Sequence, residues 1–205
     1  MLKIKNYNVF NFENAIRGAR NPLSSWEKSD SFHDKNGQFV FGENDLRLAT
    51  KLCKAGSDHR KFMRQILVSA DILAPLYWWK EFDTYKVGTT ANSTSTMHTI
   101  HKNSFKIENF STEHINEDGK IIFINLLEYI ENVRILFLKT GNKNYWYTMI
   151  QMLPSSFNQL RTCTMSYENL LNMYFSRRNH KLDEWRVVCD WIKKLPNFVN
   201  LTNCL

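Results

Sequence analysis

The run Ile66-Leu67-Val68-Ser69-Ala70-Asp71-Ile72-Leu73 sets apolar side chains on its even positions, and Ala74-Pro75 stops it. Successive side chains on a strand point to opposite faces, so a period of two predicts a half-buried β-strand here. Segments with helical spacing lie on both sides of it. Strand and helix signals together make the chain mixed α/β (α+β).

Residues 2–12 alternate loosely through Leu2, Ile4, Tyr7, Val9 and Phe10 and predict an opening strand. Residues 13–20 predict a short helix that Pro22 halts, because the residue before a proline avoids the helical region. The polar stretch 21–42 reads as a long surface loop. Asn44 or Asp45 is expected to cap a helix with Leu46, Ala49, Leu52 and Cys53 on its apolar face, and Gly56 to end it. Pro75 suits the first turn of a helix carrying Trp78, Trp79 and Phe82. The stretch 84–95 reads as a loop. Over 121–138 the spacing Ile122, Leu126, Ile130, Val133, Phe137 predicts a long amphipathic helix. A further helix is expected over 145–152, another opens at the N-cap Ser166 with the stripe Leu170, Leu171, Met173, Tyr174, and a last carries Trp185, Val188, Cys189 and Ile192.

A length of 205 residues suits a single domain over 1–205, and 43% hydrophobic residues with 14 Phe and 6 Trp can fill a core. The net charge of +7 favours anionic partners. Its cations are scattered in short groups such as His59-Arg60-Lys61 and Arg177-Arg178 rather than in a basic arm, which argues against a nucleic-acid partner. Cys53, Cys163, Cys189 and Cys204 form no C-x-x-C pair and, with the histidines, no zinc pattern, so reduced thiols, no metal and a cytoplasmic location are expected. His98, His101 and His114 are expected at the surface. The start Met-Leu-Lys-Ile-Lys-Asn lacks the apolar run of a signal peptide, and no stretch approaches the roughly 20 apolar residues of a membrane span.

Two segments carry chemistry. Residues 89–96 hold eight small residues, seven of them polar, after Gly88 and beside Lys86. They suit either a solvated loop or a cradle of hydroxyls and backbone N–H groups for phosphate. Arg177 lies seven residues after Leu170 and three after Tyr174, on its helix's apolar stripe, and Arg178 follows it. Either they meet an anion, or the helix end emerges into water with arginine at its negative pole. G-x-S-x-G, G-x-G-x-x-G and Walker patterns are absent, as is a cysteine in an electropositive motif.

The order of segments resembles the flavin-dependent thymidylate synthases (ThyX). Ala19-Arg20, Gly56 with His59, the strand ending in Ala74-Pro75, Leu153-Pro154, Leu170-Leu171-Asn172, Arg177-Arg178 and Glu184-Trp185 follow that family's order over most of 15–190. Its signature R-H-R-x-x-S-x-N-E-x-S-x-R-Y has drifted. Thr84-Tyr85-Lys86 stands where the family has Arg-His-Arg, Thr89 or Thr90 takes the place of Ser, and with one inserted residue Asn92 and Ser95 fall on Asn and the second Ser. Met97-His98 replaces the terminal Arg-Tyr, so three arginines are lost.

The resemblance implies a central sheet flanked by several helices, in a homotetramer with FAD at subunit boundaries. It also implies transfer of a methylene from methylene-tetrahydrofolate to dUMP, with hydride from NADPH by way of the flavin and no cysteine nucleophile. Carried onto this sequence, Lys80, Tyr85, Lys86, Thr89, Asn92, Ser93 and Ser95 are the expected substrate residues and Arg177 or Arg178 would polarise a base carbonyl. His59, Asn172 and His180 are expected to contact flavin. The drifted signature suits equally a protein that binds, senses or sequesters an anionic nucleotide without turnover, as a viral (phage) or regulatory protein might. An interaction module on the same scaffold is a third alternative.

Overall fold

A computed structural model describes residues 2–203. In chain order the elements are β1 Lys3–Phe10, α1 Phe12–Arg20, β2 Phe32–His33, β3 Phe39–Val40, α2 Glu43–Lys54, β4 Leu67–Pro75, α3 Leu76–Phe82, β5 Thr89–Ser93, α4 Thr96–Thr99, α5 Glu117–Thr140, α6 Lys143–Met152, β6 Asn158–Ser166, α7 Tyr167–Arg177, α8 Asp183–Lys193 and α9 Phe198–Thr202. Four strands form a sheet in the order β1-β4-β6-β5, and β2 and β3 form a separate antiparallel hairpin. The expected α+β class is what the chain adopts. On β4 the even positions Val68, Ala70, Ile72 and Ala74 are buried, as a period of two requires.

The chain divides into two compact units. One comprises the segment up to Lys5, Asp71–Thr84 and Ala91–Thr162. Its core includes the fully buried Trp78, Trp79, Ile130 and Met149. Trp79 Nε1 donates to the Gln159 carbonyl at 3.0 Å, and the Arg161 guanidinium lies 4.2 Å from the Trp79 ring centroid. That geometry satisfies the indole polar atom and its π-face together.

The other unit comprises Asn6–Ala70, Tyr85–Thr90 and the segment from Cys163 onward. Ala15, Ile16, Ala49, Met63, Leu170, Met173 and Trp185 are buried in it. The buried Asp45 ties its loop down, accepting from Arg20 Nε at 2.6 Å, Ser29 Oγ at 2.8 Å and Ser31 Oγ at 2.7 Å. Arg20 in turn donates to the carbonyls of Ser25 and Lys28. Burial pushes the Asp45 carboxyl up, but these hydrogen bonds outweigh it and hold the group below the usual carboxylate range.

Several local expectations are corrected. Neither Asn44 nor Asp45 caps α2. The cap position is Gly42, and Asp30 reaches in from the loop to accept from the N–H groups of Asn44 and Asp45 at 2.9 and 3.0 Å. The stretch 21–42 is not loop throughout, since it folds the β2–β3 hairpin and two short 3-10 turns, Asn21–Leu23 and Trp26–Lys28. The small polar residues 89–93 form β5 at the sheet edge, because strand pairing uses backbone groups that any side chain supplies. On α5 the buried face is Phe123, Leu127, Ile130 and Val133, whereas Ile122 is 70% exposed. The first turns of α5 are apolar on several faces, so one stripe could not be told from its neighbour. Strand β6 follows Leu153-Pro154 in the chain, and α9 carried no periodic signal long enough to be read.

Candidate functional site

Helix α7 organises the candidate site. Ser166 is its N-cap, with its hydroxyl accepting from the Asn169 N–H at 3.2 Å and the Asn169 side chain answering to Ser166. This reciprocal pair fixes the helix start and the direction in which Asn169 points. The Asn169 amide donates to the Val87 carbonyl at 2.7 Å, which holds the segment 85–90 against α7. Gly88 in that segment has φ +74°, and a Cβ there would stand 3.0 Å from Asn169 Oδ1, so glycine meets both the left-handed backbone and the close approach.

At the far end of α7 the half-buried Arg177 donates from Nε to Tyr85 Oη at 2.8 Å. Its guanidinium carbon lies 4.9 Å from the Trp185 ring centroid and 5.5 Å from that of Tyr85. The two rings stand 5.9 Å apart at 66° and flank the cation, while His180 packs edge-on to Trp185 at 6.3 Å. A guanidinium anchored through Nε and bordered by π-faces keeps a fixed orientation, and its planar head is of the kind that suits a carbonyl or phosphate oxygen. Arg178 is exposed, and its guanidinium lies 5.4 Å from the ring of Phe175. It follows the expectation for a helix end emerging into water, and Arg177 the expectation for the stripe.

A second group lies along the other side of α7. The carboxylate of the buried Glu168 takes Arg60 Nε at 3.1 Å and Arg64 Nε. Arg60 also reaches Asn172 Oδ1 at 3.4 Å. His59 is exposed at the cap of the 3-10 turn Arg60–Arg64, beside a cleft of about 350 Å³ that Lys61, Phe62 and Asn21 also line. Asp58 lines the same cleft and acts on Arg64, so the two guanidiniums face two carboxylates, with Lys61 beside them.

The expected site residues therefore fall into separate groups. His59 and Asn172 both adjoin Arg60, whereas His180 stands with Arg177, Trp185 and Tyr85. Lys86 is exposed. Thr89 Oγ1 is buried and has no hydrogen-bond partner among the described residues. Within the other unit Lys80 is exposed at the end of α3, Asn92 and Ser93 are exposed on β5, and Ser95 caps α4, its carbonyl accepting from the Thr99 hydroxyl at 2.6 Å. Sequence reading left out Asn169, Arg60 and Glu168 as site residues, and gave Trp185 no role in the site. The S-x-x-N spacing at Ser166 was the available signal for Asn169. The pairing of Arg60 with Glu168, 108 positions apart, had none.

Cys53, Cys163 and Cys189 are buried free thiols, and burial pushes Cys189 up to about 11. Cys204 lies outside the described residues. His98 and His114 are exposed as expected, but His101 is half-buried with its ring 5.2 Å from that of Phe137. No group of three metal-ligating side chains occurs among the described residues, and no helix among them is long and apolar enough to cross a membrane.

The sheet, its helices and the capped α7 define an α+β fold of the ThyX type. Two solved structures of flavin-dependent thymidylate synthase X from Helicobacter pylori, both in complex with FAD and dUMP, share it. One aligns at a TM-score of 0.69 with 16% identity, covering 98% of this chain and 95% of that chain. The other aligns at 0.68 with 17% identity, covering 100% and 99%. At such identities the likeness is one of fold. No family model and no curated protein sequence matches the chain.

Proposed function

We propose that this protein is a ThyX-type nucleotide-binding protein that takes dUMP or a related pyrimidine nucleotide together with FAD and methylates the base at carbon five. Methylene-tetrahydrofolate and NADPH are its co-substrates. The observation that supports this reading most is Arg177, held by Tyr85 and bordered by Trp185 on a fold whose neighbours carry FAD and dUMP.

Arg177 donates to a carbonyl oxygen of the base and draws electron density toward it, with Tyr85 setting the direction of the guanidinium. Thr89, whose buried hydroxyl is unsatisfied, is a phosphate residue in this reading once the segment 85–90 admits the ligand, and Lys86 supplies the charge. Lys80, Asn92, Ser93 and Ser95 are further substrate residues that the resemblance implies. The residues around Arg60 fit the diphosphate of FAD: the guanidinium of Arg60, the Asn172 amide and an exposed imidazole at His59 supply donors of the right kind. His180 lies against Trp185, where it meets the flavin ring in this reading. The chemistry FAD supplies when bound is hydride transfer to the methylene carbon.

The working protein is a cytoplasmic homo-oligomer, a tetramer, of one functional domain over 1–205. Support for assembly comes from α5, on which Ile121, Ile122, Ile135 and Leu138 are 61%, 70%, 50% and 56% exposed. Purified protein is expected to be yellow and to release flavin on denaturation. A colourless protein to which added FAD does not bind would remove the redox reading.

A second reading, nucleotide binding without turnover, is favoured by one observation. Where the family places Arg-His-Arg, the Thr84 hydroxyl is spent on the Glu81 carbonyl at 2.7 Å and the Tyr85 hydroxyl on Arg177, which leaves Lys86 as the sole cation of the three. Conversion of dUMP to dTMP with both co-substrates decides against it. Calorimetric binding of dUMP with no product decides for it.

A further inference from the structure

Another cleft, within one compact unit, measures about 690 Å³, and its lining residues Phe12 and Pro196 adjoin Tyr167 at the start of α7. It opens between β1, the first turn of α1 and the β2–β3 hairpin. Its size is within the roughly 300–1,000 Å³ of small-molecule sites.

The walls have a consistent chemistry. Tyr7, His33 and Phe39 supply aromatic surface, and Asn8, Gln38 and Glu13 supply polar groups. The side-chain polar groups of Asn8, Gln38 and Glu13 meet no hydrogen-bond or ionic partner among the described residues. Neither lysine nor arginine lines the cleft, although the chain carries a net charge of +7. An anionic ligand would meet Glu13 in a wall without lysine or arginine, so this cleft is chemically unlike the arginine-centred site on α7.

The cleft is also preformed. Tyr7 is braced edge-on by Trp191 at 5.9 Å, and Phe39 stacks on Phe12 at 5.7 Å with rings 8° from parallel. The hairpin tip that carries Gln38 is tied through Asp34, whose Oδ1 accepts from the N–H groups of Asn36 and Gln38, each at 2.9 Å. A rigid aromatic wall with free carboxamides suits a flat ring bearing an adjacent donor and acceptor. A carboxamide pairs bidentately with the amino and ring-nitrogen edge of adenine, and aromatic side chains stack on the base.

We propose that this cleft binds an uncharged purine base or nucleoside of the adenine type, independently of the nucleotide site on α7. The full-length protein, with FAD and dUMP at saturation, is titrated calorimetrically with adenine, adenosine, AMP and glucose. Adenine and adenosine should bind alike, and AMP at least several-fold more weakly because of Glu13. Glu13→Gln should narrow the gap between AMP and adenosine. The exposed-site double variant Asn8→Ala/Gln38→Ala should weaken adenosine at least tenfold with an unchanged circular dichroism spectrum, and Arg177→Lys should leave adenosine binding as it is.

Absence of adenosine binding up to its solubility limit overturns the proposal. So does glucose binding as tightly as adenosine, which makes the cleft a general polar one. Loss of adenosine binding in Arg177→Lys but not in the double variant places the ligand on α7 and overturns it too. Adenosine binding in a protein that takes up no dUMP supports the cleft and separates its fate from that of the methylation reading.

Discussion

The Tyr85 hydroxyl accepts from Arg177 Nε at 2.8 Å, so a residue 92 positions upstream sets the angle of the guanidinium on α7. Lysine cannot reproduce this, because an ammonium has neither a planar fork nor an Nε to anchor while its end is presented to a ligand. Arg177→Lys is therefore expected to weaken dUMP binding about 10- to 100-fold, the equivalent of roughly 1.5–3 kcal/mol for a hydrogen bond to a charged group. Tyr85→Phe should cost less, since it frees the guanidinium without removing it. Arg178→Ala, at an exposed position, should change affinity less than threefold. Titration calorimetry on the three variants checks the order, and equal losses at 177 and 178 would break it.

Asp45 predicts a pH dependence of stability. Its folded-state pKa is lowered, so its contribution is fully present above the unfolded value near 4 and is lost as pH falls through the folded value. Asp45→Asn leaves Arg20, 4% exposed, without its carboxylate. Breaking a buried pair in this way costs about 3–5 kcal/mol. Urea denaturation at pH 7 should show that loss, and the gap between the two proteins should shrink at pH 3. A gap constant from pH 7 to pH 3 would mean that the carboxylate's charge is not what holds the loop.

What the sequence made legible was what local pattern decides. The alternation at 66–73, the Ser166 cap and the stripe at Leu170, Leu171, Met173 and Tyr174 each stand as read, because one strand face or one helix face is enough to specify them. Arg177 was legible from its place on that stripe. Its partner Tyr85 was not, because nothing local links residues so far apart. Residues 89–93 misled because composition speaks for side chains, and an edge strand is held by its backbone. Asp45 looked like a helix cap, but the fold used a more distant aspartate, Asp30, for that purpose and buried Asp45 against Arg20.

Gly88→Ala tests how tightly the segment 85–90 is held on α7. The substitution forces a Cβ into the left-handed region, which costs about 1–2 kcal/mol, and sets it 3.0 Å from Asn169 Oδ1. For a protein of this size each kcal/mol lowers Tm by about 2–4 °C. A fall of roughly 2–8 °C is expected, with weaker nucleotide binding as Tyr85 loses its register with Arg177. Gly37→Ala, also at positive φ but with open space around its Cβ, should cost Tm without affecting binding. A loss of binding in Gly37→Ala as large as in Gly88→Ala would show that the two effects do not separate.

Helix α5 predicts the assembly. Its buried face is complete with Phe123, Leu127, Ile130 and Val133, yet Ile121, Ile122, Ile135 and Leu138 remain at least half exposed elsewhere on it. Apolar surface of that extent on a 24-residue helix is costly to leave in water, and a second copy that buries it recovers about 25 cal/mol per Å² of apolar area. The ends of α5 differ in charge, with Glu117 and Asp118 in the first turn and Lys139 in the last. Antiparallel contact between two copies of α5 brings opposite charges together, as an isologous interface allows. Light scattering is expected to give a multiple of the 24.3 kDa chain mass, falling to the monomer in Ile121→Glu/Ile135→Glu, two positions that share one face of the helix. Both positions are exposed in the single chain, so the double variant should keep its fold and change only its mass. A wild-type protein that runs as a monomer would leave this face to some other partner and remove the tetramer from the proposed function.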